Sequence, residues 1–401
     1  MLHDALDGIK VLDLSRILAG PWCTQNLADM GADVMKIEHP ERGDDTRGWG
    51  PPDLLAPDGK TSMSAYFMAC NRGKRSVAID FSTPDGAATI RELATQADVF
   101  VENYKAGGLR KYGLDFETLK VLNPRLVYLS ITGFGQSGPM ADKPGYDYVF
   151  QGMGGLMSYT GQPDGAPGAG PLRTGVAVVD LMTGMYATSA ILAALRQRDR
   201  TGVGMALDIC LLDVAVALNA NQGANYLVSG RAPERTGNAH PNCAPYEVFA
   251  ANDGHLILAI GNDAQFARFA KVAGHPTWSD DSRFTTNSDR MRNMAALRAL
   301  ITPVFATRSR TQWTDAFDLT GVPWGPIHTL DEVFTHPQVL HRQLLQKVEH
   351  PELGTMTLVR NPLLAGSPPG SHASAPPRLG QHTADVLNLH QTKNQRDHHE
   401  A

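Results

Sequence analysis

A single carboxylate stands inside a long apolar run. From Thr174 to Leu195 the chain reads TGVAVVDLMTGMYATSAILAAL, and Asp180 is its only charged residue. Two kinds of chemistry suit it. At the start of a helix, an aspartate side chain caps the helix by accepting a free backbone N–H. Held against an activated acyl compound and partly desolvated, the same carboxylate is a nucleophile that forms a covalent acyl intermediate. Backbone N–H groups of nearby glycines could then stabilise the oxyanion. The two roles are compatible, since a helix start also holds the side chain in place.

Other groups invite similar pairs of readings. The basic segment Asn71-Arg72-Gly73-Lys74-Arg75 is either a solvated turn or a contact for ligand phosphates, to which Arg and Lys make charge-assisted bonds. Asn103-Tyr104-Lys105 directly follows the strand-like DVFVE, a position that faces the ligand crevice in an open parallel sheet. The loop Leu14–Pro21 lacks GxGxxG, so a dinucleotide site of the usual kind is not supported. It is either a tight connection or a helix start that binds phosphate through free N–H groups. Gly135-Gln136-Ser137-Gly138 has the wrong glycine spacing for a serine-hydrolase elbow, and there is no HExxH. The four cysteines are far apart without a CxxC pair, which speaks against zinc or a disulfide framework and fits a reduced, cytoplasmic location.

These groups need elements to hold them. Ile9–Leu14, Asp33–Glu38, Ser76–Asp80, Asp98–Glu102 and Leu126–Ile131 read as strands, with helices after Gly20-Pro21 and over Pro84–Gln96. That alternation predicts an α/β unit with an open parallel sheet. Gly161–Gly175 is a Gly/Pro-rich loop, and Asp180–Arg198 is a long apolar helix. A smaller α+β unit follows. It opens on a hairpin turning at Asn252-Asp253-Gly254, with helices near Asp263–Ala273, Arg290–Ala306 and Thr311–Leu319. The expected division is a large domain over 1–228, a linker at 229–245, a small domain over 246–320 and a second linker at 321–330. Residues 331–390 would complete the large domain, and 391–401 would be a flexible tail. A chain of 401 residues exceeds the ~250–300 that one core usually supports, which also argues for two domains. The net charge of −5 argues against a general nucleic-acid binder. The apolar stretches, interrupted by Asp, Gly or Arg within ~18 residues, fall short of a membrane span.

Taken in order, the blocks LDGIKVLDLSRILAGPWCTQNLADMGADVMKIEHPERGDDTR, FMACNRGKRSVAIDFSTPDG, ADVFVENYKAGGLRKYGLDFETLKVLNPRLVYLSITGFGQSGPMADKPGYD, GQPDG, VVDLMTGMYATSAILAALRQRDRTGVG and LGQHTADVL cover nearly the whole chain. Their set resembles the family III CoA-transferases, which include formyl-CoA transferase and carnitine CoA-transferase. The resemblance implies a Rossmann-like large domain built from both chain ends, and an interlaced homodimer. It also implies an activity: transfer of CoA from an acyl-CoA to a carboxylic acid through an aspartyl anhydride and an aspartyl–CoA thioester on Asp180. CoA is then a substrate, and no metal or prosthetic cofactor is implied. Succinyl-CoA is a donor the family admits, though no residue of the chain selects it. Carried over by position, CoA contacts fall on Ile17, Leu18 and Ala19 in the first loop, and on Asn71, Lys74 and Arg75 in the basic turn. The remaining positions are Asn103, Tyr104, Lys111, Gly133, Phe134 and Gln136.

Departures narrow the activity. His39-Pro40 follows KIE where the family has a basic residue, and Thr132 stands where formyl-CoA transferase has lysine. The glycine run that covers the formyl-CoA transferase site has no counterpart in Asn242–Gly261, so oxalate and formate are not favoured. The related 2-methylacyl-CoA racemases carry Gly-His-Asp where this chain has Gly145-Tyr146-Asp147, and a tyrosine is a poor base near neutral pH. Racemisation is therefore the second reading, and a non-catalytic CoA-binding protein the third.

Overall fold

In the computed structural model, which describes residues 2–364 and 374–388, the chain forms two units. The first contains a six-stranded sheet. Its strands are β1 (Lys10–Asp13), β2 (Asp33–Glu38), β3 (Lys74–Ala78), β4 (Val99–Glu102), β5 (Val127–Thr132) and β6 (Met205–Cys210). All neighbours pair in parallel, in the spatial order β3-β2-β1-β4-β5-β6. This is the doubly wound order, with its switch point between β1 and β4. The α/β expectation, a parallel sheet with a smaller unit, holds.

Burial on both faces explains the strand sequences. Val11, Val99, Val101, Val127 and Leu129 belong to one core cluster, while their alternating neighbours Leu12, Phe100 and Tyr128 belong to the other. The first face is covered by α1 (Ala19–Asp29), through Cys23 and Leu27, and by the long α4 introduced below. The opposite face takes Ile90, Leu93 and Ala94 of α2 (Pro84–Ala94), which Thr83 caps as its Thr-Pro start implies. Helix α3 (Asp147–Met153) leads toward α4 (Val178–Thr201), which buries Ala187, Ile191, Ala194 and Leu195 in the sheet core. At 24 residues α4 is longer than the sequence reading allowed, and by length and composition it is able to cross a membrane. Half of its apolar window is nevertheless buried within the protein, as in a core helix.

Two strands differ from expectation. β3 begins at Lys74 rather than Ser76, so part of the basic turn is strand and carries Lys74 into the interior. β6 had no clear signal, because as an edge strand it alternates partly buried and exposed residues without a continuous apolar run. At the other edge, residues 374–388 lie along β3. The His382 N–H donates to the Ser76 carbonyl and the Ala78 N–H to the Thr383 hydroxyl. That contact covers an otherwise open sheet edge.

The second unit comprises residues 155–173 and 219–335. Residues 155–173 and 219–228 thus group with this unit and not with the sheet, while 336–364 and 374–388 group with the sheet. The hairpin forms as expected, β7 (Tyr246–Ala251) with β8 (Gly254–Ala259). The segment expected as the second linker, at 321–330, supplies a third strand, β9 (Trp324–Pro326), on β8. Phe249, Phe269, Phe305, Trp313 and Phe317 fill the core of this unit. The tail at 391–401 lies outside the described residues.

Candidate active site

Asp180 is the third residue of α4, and its side chain does not cap the helix. The N-cap residue, Ala177, has no side chain able to do so. The cap comes from α3. Oδ1 of Asp147 accepts the N–H groups of Val179 at 2.7 Å and Asp180 at 3.1 Å. Asp147 is itself held by Gln151, whose Nε2 donates to Oδ2 at 2.6 Å while its Oε1 accepts the Thr174 N–H at 2.9 Å. Close packing sets the depth of α4: a Cβ on Gly184 would lie 2.8 Å from the Ala19 carbonyl oxygen, so only glycine permits this approach.

The Asp180 carboxylate is thereby left free. Among the described residues it has no ion pair and accepts no hydrogen bond, and it lines a cavity of about 340 Å³. Burial, and secondarily the charge of Asp147, push its pKa from 3.8 to about 7. Ile17, Leu18, Ala19, Asn103, Tyr104 and Gly133 line the same cavity, Ala19 as the first residue of α1 and the others from loops at the carboxyl ends of β1, β4 and β5.

A second cavity of about 350 Å³ lies over the carboxyl ends of β1, β2, β3 and β4. Lys111, His39, Arg42 and Lys105 contribute positive or ionisable groups. Phe81 stands edge-on to both Tyr104 and Tyr112, with ring centroids 5.3 and 5.4 Å apart. Aromatic walls with cations suit a planar, phosphate-bearing head group. Arg16, Tyr104 and Lys105 line both cavities, which are therefore adjoining chambers. One chamber thus carries the cations and aromatic walls, and the other carries the partner-free Asp180 carboxylate.

The remaining expected contacts fall elsewhere. Lys74 is buried: its Nζ donates to Pro21 O and Asn71 Oδ1, and it pairs with Asp13 at 3.2 Å. Asn71 is equally buried, with its Nδ2 on the Phe67 carbonyl. Arg75 pairs with Asp33. None of these three lines either cavity. The physical reason is the buried Asp13 carboxylate, which requires a counter-charge that Lys74 supplies. Phe134 packs edge-on against Phe150 at 5.0 Å. Gln136 faces a separate cavity of about 220 Å³ and donates from Nε2 to the Ser130 hydroxyl. In that cavity burial pushes Glu102 up to about 7. Lys105, expected at the crevice in Asn103-Tyr104-Lys105, does line both cavities, whereas Arg16 and Asp147 carry no assigned role in the sequence reading. For Arg16, position just after a strand was the available signal; Asp147 carried none, since its partner is a helix about thirty residues away.

Residues 6–383 match the sequence profile of the family described as CoA-transferase family III. The succinate–glutarate CoA-transferase of Agrobacterium fabrum is 50% identical over 382 residues, covering 95% of this chain and 94% of that protein. The human succinyl-CoA:glutarate CoA-transferase is 41% identical over 95% of this chain and 85% of its own length. Among solved structures, a CAIB/BAIF family protein from Brucella suis superimposes with a TM-score of 0.83 at 46% identity, over 96% of this chain and 99% of that one.

Proposed function

Because the chain belongs to CoA-transferase family III, and so is an enzyme that moves CoA between an acyl-CoA and a carboxylic acid, we propose that Asp180 carries the CoA. The observation behind this reading is a partner-free carboxylate on a cavity wall, beside a chamber suited to a phosphorylated head group. One Asp180 oxygen attacks the thioester carbonyl; the C–S bond breaks, leaving an aspartyl–acyl anhydride and CoA thiolate. The thiolate attacks the aspartyl carbonyl, the anhydride C–O bond breaks, and the donor acid departs as its carboxylate. The acceptor carboxylate then attacks the aspartyl–CoA thioester, expelling thiolate and forming a second anhydride. Thiolate attack on the acceptor carbonyl gives the new acyl-CoA and returns Asp180. Each step is an acyl transfer in which no net proton or electron is consumed.

The chamber with Lys111 takes the CoA nucleotide, and Ile17, Leu18, Ala19, Tyr104 and Gly133 border the arm that reaches Asp180. Succinyl-CoA is the proposed donor and glutarate the proposed acceptor, on the strength of 50% identity to an enzyme named for that pair. The working form is an interlaced homodimer. Supporting this, the second unit leaves large apolar side chains exposed, with Leu227 at 82%, Val228 at 89% and Leu319 at 88%.

The test is trapping. After incubation with succinyl-CoA, hydroxylamine should convert Asp180 to its hydroxamate, identified by peptide mass, and Asp180→Asn should yield none. Turnover persisting in Asp180→Ala would overturn the assignment.

A further inference from the structure

The loop between β1 and α1 has an unusual backbone. Ile17, a β-branched residue, sits at φ +71°, a region such residues rarely enter. A strained conformation of this kind persists only where its surroundings over-determine it. Here the restraint comes from side chains on other elements. Oδ1 of Asn103 accepts the Arg16 N–H at 2.8 Å, and its Nδ2 donates to the Arg16 carbonyl at 2.7 Å. Both ends of the Asn103 amide are thus engaged by one residue's main chain. On either side of Arg16 acts a buried ion pair, Lys36–Asp44 at 2.8 Å. Lys36 donates to the Ser15 carbonyl at 2.9 Å, and Asp44 accepts the Ile17 N–H at 3.2 Å.

What this clamp presents is the Arg16 side chain. It lines both cavities, its guanidinium lies 5.3 Å from the Tyr104 ring centre, and its Nη1 pairs with Asp45 at 2.9 Å. Its Nε is shielded from solvent and donates to nothing among the described residues. The side chain as a whole stays 43% exposed at the junction of the two chambers, so an anion arriving with the ligand can reach the guanidinium.

We propose that Asn103, backed by the Lys36–Asp44 pair, is a positioning residue: it grips the Arg16 main chain so that the guanidinium meets the phosphate-bearing part of an acyl-CoA between the two chambers. Asn103 then contributes to binding through Arg16 and not through a bond of its own to CoA. This inference rests on the transferase reading above.

A double-mutant cycle on the full-length protein tests it, read as KM for succinyl-CoA and as kcat. Asn103→Ala should raise KM about tenfold with kcat within about twofold. In the Arg16→Ala background the same change should raise KM by less than about twofold, because the group it positions is gone. Multiplying effects would overturn the proposal and make Asn103 a direct contact; so would an unchanged KM in either single variant. If Asn103→Ala does not fold, Asn103→Ser, which cannot reach both Arg16 groups, replaces it. Absence of CoA transfer by the wild type would refute the transferase reading instead, and the same cycle measured as Kd for CoA by calorimetry would still decide the role of Asn103.

Discussion

The Asp147 carboxylate caps the helix that carries Asp180, accepting the Val179 and Asp180 N–H groups through a single oxygen. One acid takes the structural role and so leaves the other available for chemistry. The arrangement also places two carboxylates near each other, and the charge of Asp147 adds to burial in keeping Asp180 protonated to higher pH. Asp147→Asn should separate these effects. The amide retains an acceptor for the two N–H groups but removes the charge, so the fold should persist while the acid limb of the pH–rate profile moves to lower pH. Asp147→Ala removes the cap as well and should cost about 1–2 kcal/mol, measured by denaturant unfolding.

The pH dependence of the wild type has a definite sign. In the proposed reaction Asp180 attacks in its ionised form, and its pKa is raised from 3.8 to about 7. The kcat/KM for acyl-CoA should therefore rise as pH increases through about 7 and level off above it. A profile already flat from pH 5 upward would contradict this.

Stability should show the opposite trend. Between pH 4 and 7 the folded protein holds a proton on Asp180 that the unfolded chain has released, so this residue's destabilising contribution grows across that window and is complete above about 7. Asp180→Asn should accordingly stabilise the protein at pH 8 by roughly 1–3 kcal/mol, and not at pH 3.5, while abolishing transfer. Melting curves at the two pH values check it.

Lys74 and Lys111 are both lysines in expected phosphate-binding segments, yet their substitution should behave differently. Lys74→Met strands the buried Asp13 carboxylate and should cost about 3–5 kcal/mol of stability. Lys111→Ala removes a cation from a cavity wall and should leave the melting temperature nearly unchanged. Its KM for acyl-CoA should rise, with a weaker dependence on salt.

Gly184→Ala probes the seating of α4. The added methyl carbon would stand 2.8 Å from the Ala19 carbonyl oxygen, so the helix must shift. About 1–3 kcal/mol should be lost by denaturant unfolding. Because Asp180 lies one turn away, kcat should fall as well.

Strand and helix alternation was legible wherever a segment is buried on both sides. Asp33–Glu38 matches its expected bounds to the residue, and the hairpin around Asn252-Asp253-Gly254 forms where the turn residues place it. Edge positions were harder. Met205–Cys210 faces solvent on alternate residues, and Trp324–Pro326 looks like a turn until β8 pairs with it. The site divides similarly. Asp180 could be picked out because it interrupts an apolar run and Tyr104 because it follows an apolar strand, whereas Ile17, Leu18 and Ala19 followed from the family resemblance; all of them line one cavity. Lys74 carried the same basic signal as Lys111, but a strand that starts two residues early turns it inward.

The sequence by itself determined the family and the order of sheet and helix, and it offered Asp180 as the carboxylate proposed for the chemistry, because these are written in local periodicity and in ordered blocks of residue types. Tertiary structure alone decided which acid is cap and which is free, which cations face a cavity, and what holds Ile17 at a positive φ. Those properties depend on partners up to about ninety residues away. Whether a side chain is spent on a neighbour or left for a ligand is settled only when burial and hydrogen bonding bring the partners together.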